Sequence, residues 1–173
     1  MGKYFFGFVI ASFFSLSLPA WAEKGTAVIQ GTQEGSNLSG VAHFEDTSEG
    51  LKISANLTNV PLGKHGFHIH QLGDCGDQGN AAGGHYNPDG VPHGYVLKDG
   101  LAAAHAGDLG NIEIAPDGSG KLDAVIPGVN LSGGKYSVAG RSLILHEKED
   151  DFGQPTGNAG ARIGCGAIRI TKE

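Results

Sequence analysis

Apolar side chains in this chain recur at every second residue and nowhere sustain a helical stripe. Leu51, Ile53, Ala55 and Leu57 alternate with Lys52, Ser54 and Asn56. Successive side chains leave a strand on opposite sides, so this pattern predicts a strand with one wet face. Ile112 and Ile114 precede the turn sequence Pro116-Asp117-Gly118-Ser119-Gly120, and Leu122, Ala124 and Ile126 follow it; that arrangement predicts a hairpin. Further short apolar runs cover residues 26–30, 41–44, 67–70, 141–146 and 167–170. No segment keeps a 3.6-residue period over three turns, and the one Ala-rich stretch, 101–106, has room for a single turn. Seven or eight short strands divided by turn signals predict an all-β sandwich or barrel. With no internal repeat and no linker, one domain is expected.

The first 22 residues stand apart from this pattern. Lys3 gives a short positive start, residues 4–18 are apolar but for Gly and Ser, and Ala20-Trp21-Ala22 offers small residues where a signal peptidase reads. A bilayer span takes about 20 apolar residues, more than this run supplies, and no later segment competes. The expectation is a cleaved export signal over 1–22 and a single domain over 23–173, with no membrane contact after cleavage. Five of the eight Phe and the only Trp leave with the leader, so the core must be aliphatic and thin. What remains carries 11 basic and 18 acidic side chains, a balance that argues against a nucleic-acid partner. Cys75 and Cys165 both stay in the exported part. An oxidising destination predicts one disulfide across a loop of about 90 residues, contributing roughly 4–5 kcal/mol in the chain-entropy picture; two free thiols are the alternative.

Three stretches read as long loops: 71–107, 127–135 and 147–160. A loop of such length inside a compact domain is usually functional or tied by a metal. Six of the eight histidines lie in the first loop or at strand ends beside these loops. His68-Ile69-His70 puts two imidazoles on one face of a strand and turns Phe67 and Ile69 to the other. His85 and His93 follow, then His105 with Asp108 three residues on, then His146. Imidazole-rich sites of this kind suit copper or zinc, whereas thiolate sites are set aside because the two Cys serve each other.

Five motifs carry a specific resemblance. They are His65-Gly66-Phe67-His68-Ile69-His70, Gly84-His85-Tyr86-Asn87-Pro88, the run from His105-Ala106-Gly107-Asp108 to Asn111, Leu145-His146-Glu147-Lys148, and Gly157-Asn158-Ala159-Gly160-Ala161-Arg162-Ile163-Gly164-Cys165-Gly166. In this order they resemble copper/zinc superoxide dismutases, over essentially the whole exported chain. The resemblance implies an eight-stranded Greek-key β-barrel or sandwich with long metal-binding and electrostatic loops. It implies copper on His68, His70, His85 and His146, and zinc on His85, His93, His105 and Asp108, with His85 bridging the two. Asp150 matches the acid that hydrogen-bonds His68 and His93. Arg162 matches the arginine beside the copper that receives the anion, and Cys75 and Cys165 match the family disulfide. The implied reaction converts two superoxide anions to O2 and H2O2 by cycling Cu(II)/Cu(I), an antioxidant defence outside the cytoplasm in which Arg162 and His85 act on substrate and proton.

The chain also departs from the animal enzymes. The stretches from Cys75 to His85 and from His93 to His105 are longer, while that from His146 to Arg162 is shorter and lacks the steering lysine. Lys64, Lys98 and Lys148 are the candidates left. These changes resemble the bacterial periplasmic branch, which makes a periplasmic home the expectation, secretion the alternative, and a homodimer an open question. His65 is expected to be a structural hydrogen-bonding residue and His43 an exposed one. Asn37, Asn56 and Asn130 open glycosylation sequons, which matter only in a eukaryotic secretory pathway. Two rival functions fit parts of the same pattern. A copper/zinc storage or delivery protein would keep the fold while losing a copper ligand or the arginine. A zinc hydrolase would need an open zinc position that four ligands deny it.

Overall fold

The computed structural model describes residues 22–172; the expected leader therefore lies outside the described residues, apart from Ala22. Period-two segments become strands β1 (Lys24–Gly31), β2 (Ser39–Thr47), β3 (Gly50–Thr58) and β4 (Gly63–His70). After the long first loop come β5 (Asp108–Ile114), β6 (Gly120–Ile126), β7 (Ser142–His146), β8 (Arg162–Ala167) and the two-residue β9 (Arg169–Ile170). The strands pair in the order β2-β3-β6-β5-β4-β7-β8-β1, and β1 pairs back onto β2. Eight antiparallel strands thus close a barrel, which removes the exposed edges an open sheet would carry. Neither β3 and β4 nor β6 and β7 are neighbours, so both connections cross the barrel ends in Greek-key fashion.

Two expectations are adjusted. The hairpin around residues 116–120 exists only beside its turn, because β5 and β6 share the single pairing Ile114↔Gly120, while β6 lies along β3 from Leu51↔Ile126 to Leu57↔Gly120. Barrel closure draws β6 away from its sequence neighbour. The apolar run 167–170 is likewise broken: Ile168 leaves the ladder, its N–H donating to Arg141 O at 2.8 Å, and β9 then resumes along β1. Among the described residues helix is confined to the 3-10 segment Asp77–Ala82 and the single α-turn Val96–Asp99, the latter just before the Ala-rich stretch.

Inward side chains of β1 to β7 fill the barrel, among them Ile29, Phe44, Ile53, Phe67, Ile69, Leu109, Ile126 and Leu143, all at most 2% exposed. Leu131, from the loop after β6, closes one end; it is fully buried and stands where a Gly25 Cβ would sit. On β3 the outward residues are wet, as the alternation predicts. On β7, and on β4 from Gly66 onward, the outward residues are buried as well, because the first loop and the loop after β7 lie over them. That covered outer wall is where the histidines sit. Asn37 and Asn56 are exposed, whereas Asn130 Oδ1 is buried.

Candidate metal centre

Strand geometry begins the site. Phe67 and Ile69 face the core, so His68 and His70 must face outward, under the loops. The β4–β5 ladder shifts register between Gly66 and His68, and the β7–β8 ladder shifts at His146. Such irregularities re-aim individual side chains, and both fall at copper-type ligands. His146 pairs across the ladder with Arg162. His85 enters from the first loop through an isolated bridge to His70. That loop can approach closely because position 107 is glycine; a Cβ there would lie 2.1 Å from Ile69 O.

Tracing the ring protons shows what the first group can hold. His70 Nδ1 faces Gly83 O at 2.9 Å and His146 Nδ1 faces Gly160 O at 3.3 Å. A carbonyl only accepts, so both Nδ1 atoms carry the proton and both Nε2 atoms carry a lone pair. Those two Nε2 atoms lie 3.3 Å apart. His68 Nε2 is fixed 2.8 Å from Asp150 Oδ2, which leaves its buried Nδ1 with a lone pair and no hydrogen bond. Lone pairs aimed at one another inside a protein repel unless a cation stands between them. His68, His70, His85 and His146 bring ligand atoms within 4.8 Å of one another, which fits a four-imidazole copper site.

The second group gathers around Asp108. His85 Nδ1 and His105 Nδ1 approach Asp108 Oδ1 at 2.8 and 3.1 Å. His93 Nδ1 lies 2.8 Å from Asp108 Oδ2 but off the hydrogen-bonding direction, so that buried nitrogen has a near neighbour and no hydrogen bond. Three imidazoles and a carboxylate fit tetrahedral zinc, whose ligand bonds of about 2.0–2.1 Å need such close donors. His85 belongs to both groups, one ring nitrogen to each.

Burial governs the protonation. It pulls His70 down to about 2, with His85 adding repulsion, and His146 to about 3, with His68 adding repulsion. It pulls His85 to about 4 against the opposing hydrogen bond from Asp108. His93 is buried too, yet Asp108 and Asp150 on its two sides outweigh that and raise it to about 9. Asp108 and Asp150 are held well below the ordinary carboxylate range; burial works against this, and their histidine partners override it.

Asp150 joins the two groups, with Oδ2 on His68 and Oδ1 3.0 Å from His93 Nε2. Its own backbone is clamped by Asn111, whose Nδ2 donates to Asp150 O at 2.9 Å while Oδ1 accepts Asp150 N–H at 2.7 Å. Arg162 stands at the side of a cleft of about 320 Å³ lined by His70, His85, His146, Asn80 and Asn158. Its guanidinium donates to Gly79 O and Gly83 O, both at 2.6 Å. Gly79 lies within the segment Asp77–Ala82 and Gly83 just after it, and the Cys75–Cys165 disulfide ties this stretch to β8. Gly83 O therefore serves Arg162 and His70 together.

Every residue expected in the two ligand sets is brought into them, with Asp150 and Arg162 beside them. His65 is buried with carbonyls at both ring nitrogens, Pro61 O and His146 O at 2.9 Å, a structural role as expected, and His43 is exposed. Sequence reasoning missed Gln154, Phe152 and the clamp made by Asn111. Their residue types carry no metal chemistry, and only their neighbours in space disclose them.

A closed antiparallel barrel bearing two fused ligand sets that share one imidazole defines a two-metal β-barrel protein. A profile of the family described as copper/zinc superoxide dismutase matches residues 38–168. The chain is 41% identical over 143 residues to the extracellular superoxide dismutase [Cu-Zn] of Caenorhabditis elegans, covering 79% of this chain and 63% of that protein. It is 35% identical over 159 residues to the protein of the same name from Brugia pahangi, covering 86% of this chain and 78% of the relative. The solved structure of the clock protein EA4 superposes with a TM-score of 0.77 at 31% identity, over 94% of this chain and 100% of its own. This chain belongs to the copper/zinc superoxide dismutase family, and copper and zinc are its metals. It spans 63% of the length of the C. elegans relative.

Proposed function

We propose that this protein dismutes superoxide to O2 and H2O2, with copper on His68, His70, His85 and His146 and zinc on His85, His93, His105 and Asp108. The observation that carries the reading is the convergence of unprotonated imidazole nitrogens beside a cleft that also holds a guanidinium. Copper bound by these four histidines would supply one-electron redox chemistry. Arg162 supplies the positive charge that receives the anion, pre-aimed by its carbonyl contacts. His85 Nε2 is the atom suited to hold and return a proton. Its other nitrogen is fixed 2.8 Å from Asp108 Oδ1, so Nε2 is the ring atom left to move a proton on the cleft side. Asp150 fixes the orientation of His68 and His93.

A storage or delivery protein would need the ligands but no guanidinium at the cleft, and Arg162 argues against it. The test is superoxide decay by stopped-flow on protein of measured metal content. Decay proportional to bound copper is expected; full copper and zinc with decay no faster than buffer would leave only a metal carrier.

Export follows from the same reading. The relatives above are named extracellular, the sequence of residues 1–22 has the form of a leader, and the disulfide suits an oxidising compartment. Cleavage after Ala22 and a periplasmic home are the finer form of this reading. N-terminal sequencing of exported protein should begin at Glu23; export with residues 1–22 still attached would overturn the cleavage. A homodimer is supported by the outer face of β1 and β2, where Val28, 61% exposed, pairs with Val41, 36% exposed. A monomer mass in sedimentation at micromolar concentration would exclude it.

A further inference from the structure

His93 lies in a stretch, residues 91–95, that belongs to no helix or strand, yet the residue is only 4% exposed. Buried peptide groups need partners, and irregular backbone does not provide them. Among the described residues, both partners of His93 come from one side chain 61 residues away. Gln154 Oε1 accepts the His93 N–H at 3.0 Å, and Gln154 Nε2 donates to His93 O at 2.8 Å. The other zinc-type ligands are anchored differently. Asp108 starts β5, His85 bridges to His70, and the His105 N–H and carbonyl both bond to Asp108 itself.

The segment that carries Gln154 wraps His93 on its remaining sides. Asp150 meets Nε2, and the Phe152 ring stacks on the imidazole at 6.4 Å and 19°. Phe152 holds a left-handed φ of 59°, with its N–H donating to Asp150 Oδ1 at 2.8 Å. The wrap closes because position 157 is glycine; a Cβ there would lie 1.8 Å from Asp150 Oδ1 and 2.7 Å from His93 Nε2.

We propose that Gln154 is a positioning residue for zinc, holding the His93 backbone so that its imidazole stays on the metal and setting how fast the metal leaves. The inference rests on the ligand assignment above. A metal held by several ligands leaves as they detach in turn, and the ligand with the least anchored main chain detaches first. His93 is that ligand, and the Gln154 amide is its anchor. Phe152 shields the ring face that water would enter.

The experiment mixes copper- and zinc-loaded protein with excess chromogenic zinc chelator and follows zinc release, while copper content and the copper EPR spectrum are recorded on the same samples. Gln154→Ala should release zinc at least tenfold faster with copper content and EPR spectrum unchanged. Gln154→Glu keeps the acceptor and loses the donor, so its rate should fall between the two. Asp151→Ala serves as the control, because it cuts loop bonds to Gly153 and Asn158 without removing a contact to His93; its zinc release should match the parent. Release from Gln154→Ala within twofold of the parent would overturn the proposal, as would equal acceleration by Asp151→Ala. If Gln154→Ala does not fold, Gln154→Glu decides by the same criterion. Parent protein that takes up copper but no stoichiometric zinc would instead overturn the ligand assignment, and the anchor with it.

Discussion

At the scale of single residues, charge and proton placement decide what the site can do. Arg162 donates to the carbonyls of Gly79, Asn80 and Gly83, the role proposed for it rests on its charge at the cleft, and His70 keeps its own bond to Gly83 O without it. Arg162→Ala should therefore slow dismutation by roughly tenfold or more, the scale of a lost focusing charge, with copper content unchanged. Stopped-flow decay and metal analysis on one sample check this, and loss of copper would show that the role assigned to Arg162 is wrong. The histidines set a pH dependence for the metal-free protein. His70, His85 and His146 titrate in the fold at about 2, 4 and 3, below the ordinary 6.5. Their stabilisation is present above pH 6.5 and is lost as pH falls from there toward those values, at about 1.4 kcal/mol per pH unit for each. His93, raised to about 9, acts oppositely: its contribution is full below 6.5 and disappears as pH rises through 9. Denaturation of metal-free protein should show maximum stability near pH 6.5, with the steeper fall on the acid side. Stability that rose from pH 6.5 to 5 would contradict these placements.

Among the elements, the disulfide segment matters most, because it joins barrel to site. Cys75 sits in the first loop and Cys165 in β8, 90 residues apart. Between Cys75 and His85 lie the carbonyls of Gly79 and Gly83 that aim Arg162. Removing the bond should cost roughly 4–5 kcal/mol by the chain-entropy estimate and also release the guanidinium from its supports. Cys75→Ser should thus lower the thermal midpoint and slow superoxide decay per bound copper. A lower midpoint with an unchanged rate per copper would confine the disulfide to stability. The ladder irregularities at His68 and His146 belong to this scale too, since a one-residue shift re-aims a side chain that regular pairing would leave elsewhere.

Across the whole chain the charge is −6, which repels anions, so under the proposed function capture of superoxide depends on local positive field. Of the three candidate lysines, Lys64 is paired with Glu149 at 3.3 Å, and Lys98 lies on the helical turn Val96–Asp99. The stem of Lys148 runs past Gly160, 3.2 Å from where its Cβ would be, and Gly160 lines the cleft. Dismutation should slow as ionic strength rises past a Debye length of about 8–10 Å. Lys148→Gln should lower the rate at low salt and flatten that dependence, whereas Lys98→Gln should change neither. A rate that climbs with salt would mean the global negative charge dominates.

Much of the fold was legible in the chain because burial alternates locally. The residues from Leu51 to Leu57 declare a strand without reference to anything else, and His68-Ile69-His70 fixes which imidazoles face outward once Phe67 and Ile69 must face in. The motif resemblance singled out Asp150 and Arg162; Asp150 reaches His68 and His93, and Arg162 lines the cleft beside His70, His85 and His146. Periodicity alone could not reveal that β6 prefers β3 to its hairpin neighbour β5, since only closing the barrel makes that pairing the better one. Nor could it reveal Asn111 and Gln154, ordinary amides whose partners lie 39 and 61 residues away. Sequence by itself determined which side chains are chemically able to bind metal and on which strand face they stand. Tertiary structure decided which of them meet, which backbone each one leans on, and which carbonyls aim the arginine, because hydrogen bonds and lone pairs depend on distance in space and the chain records only order.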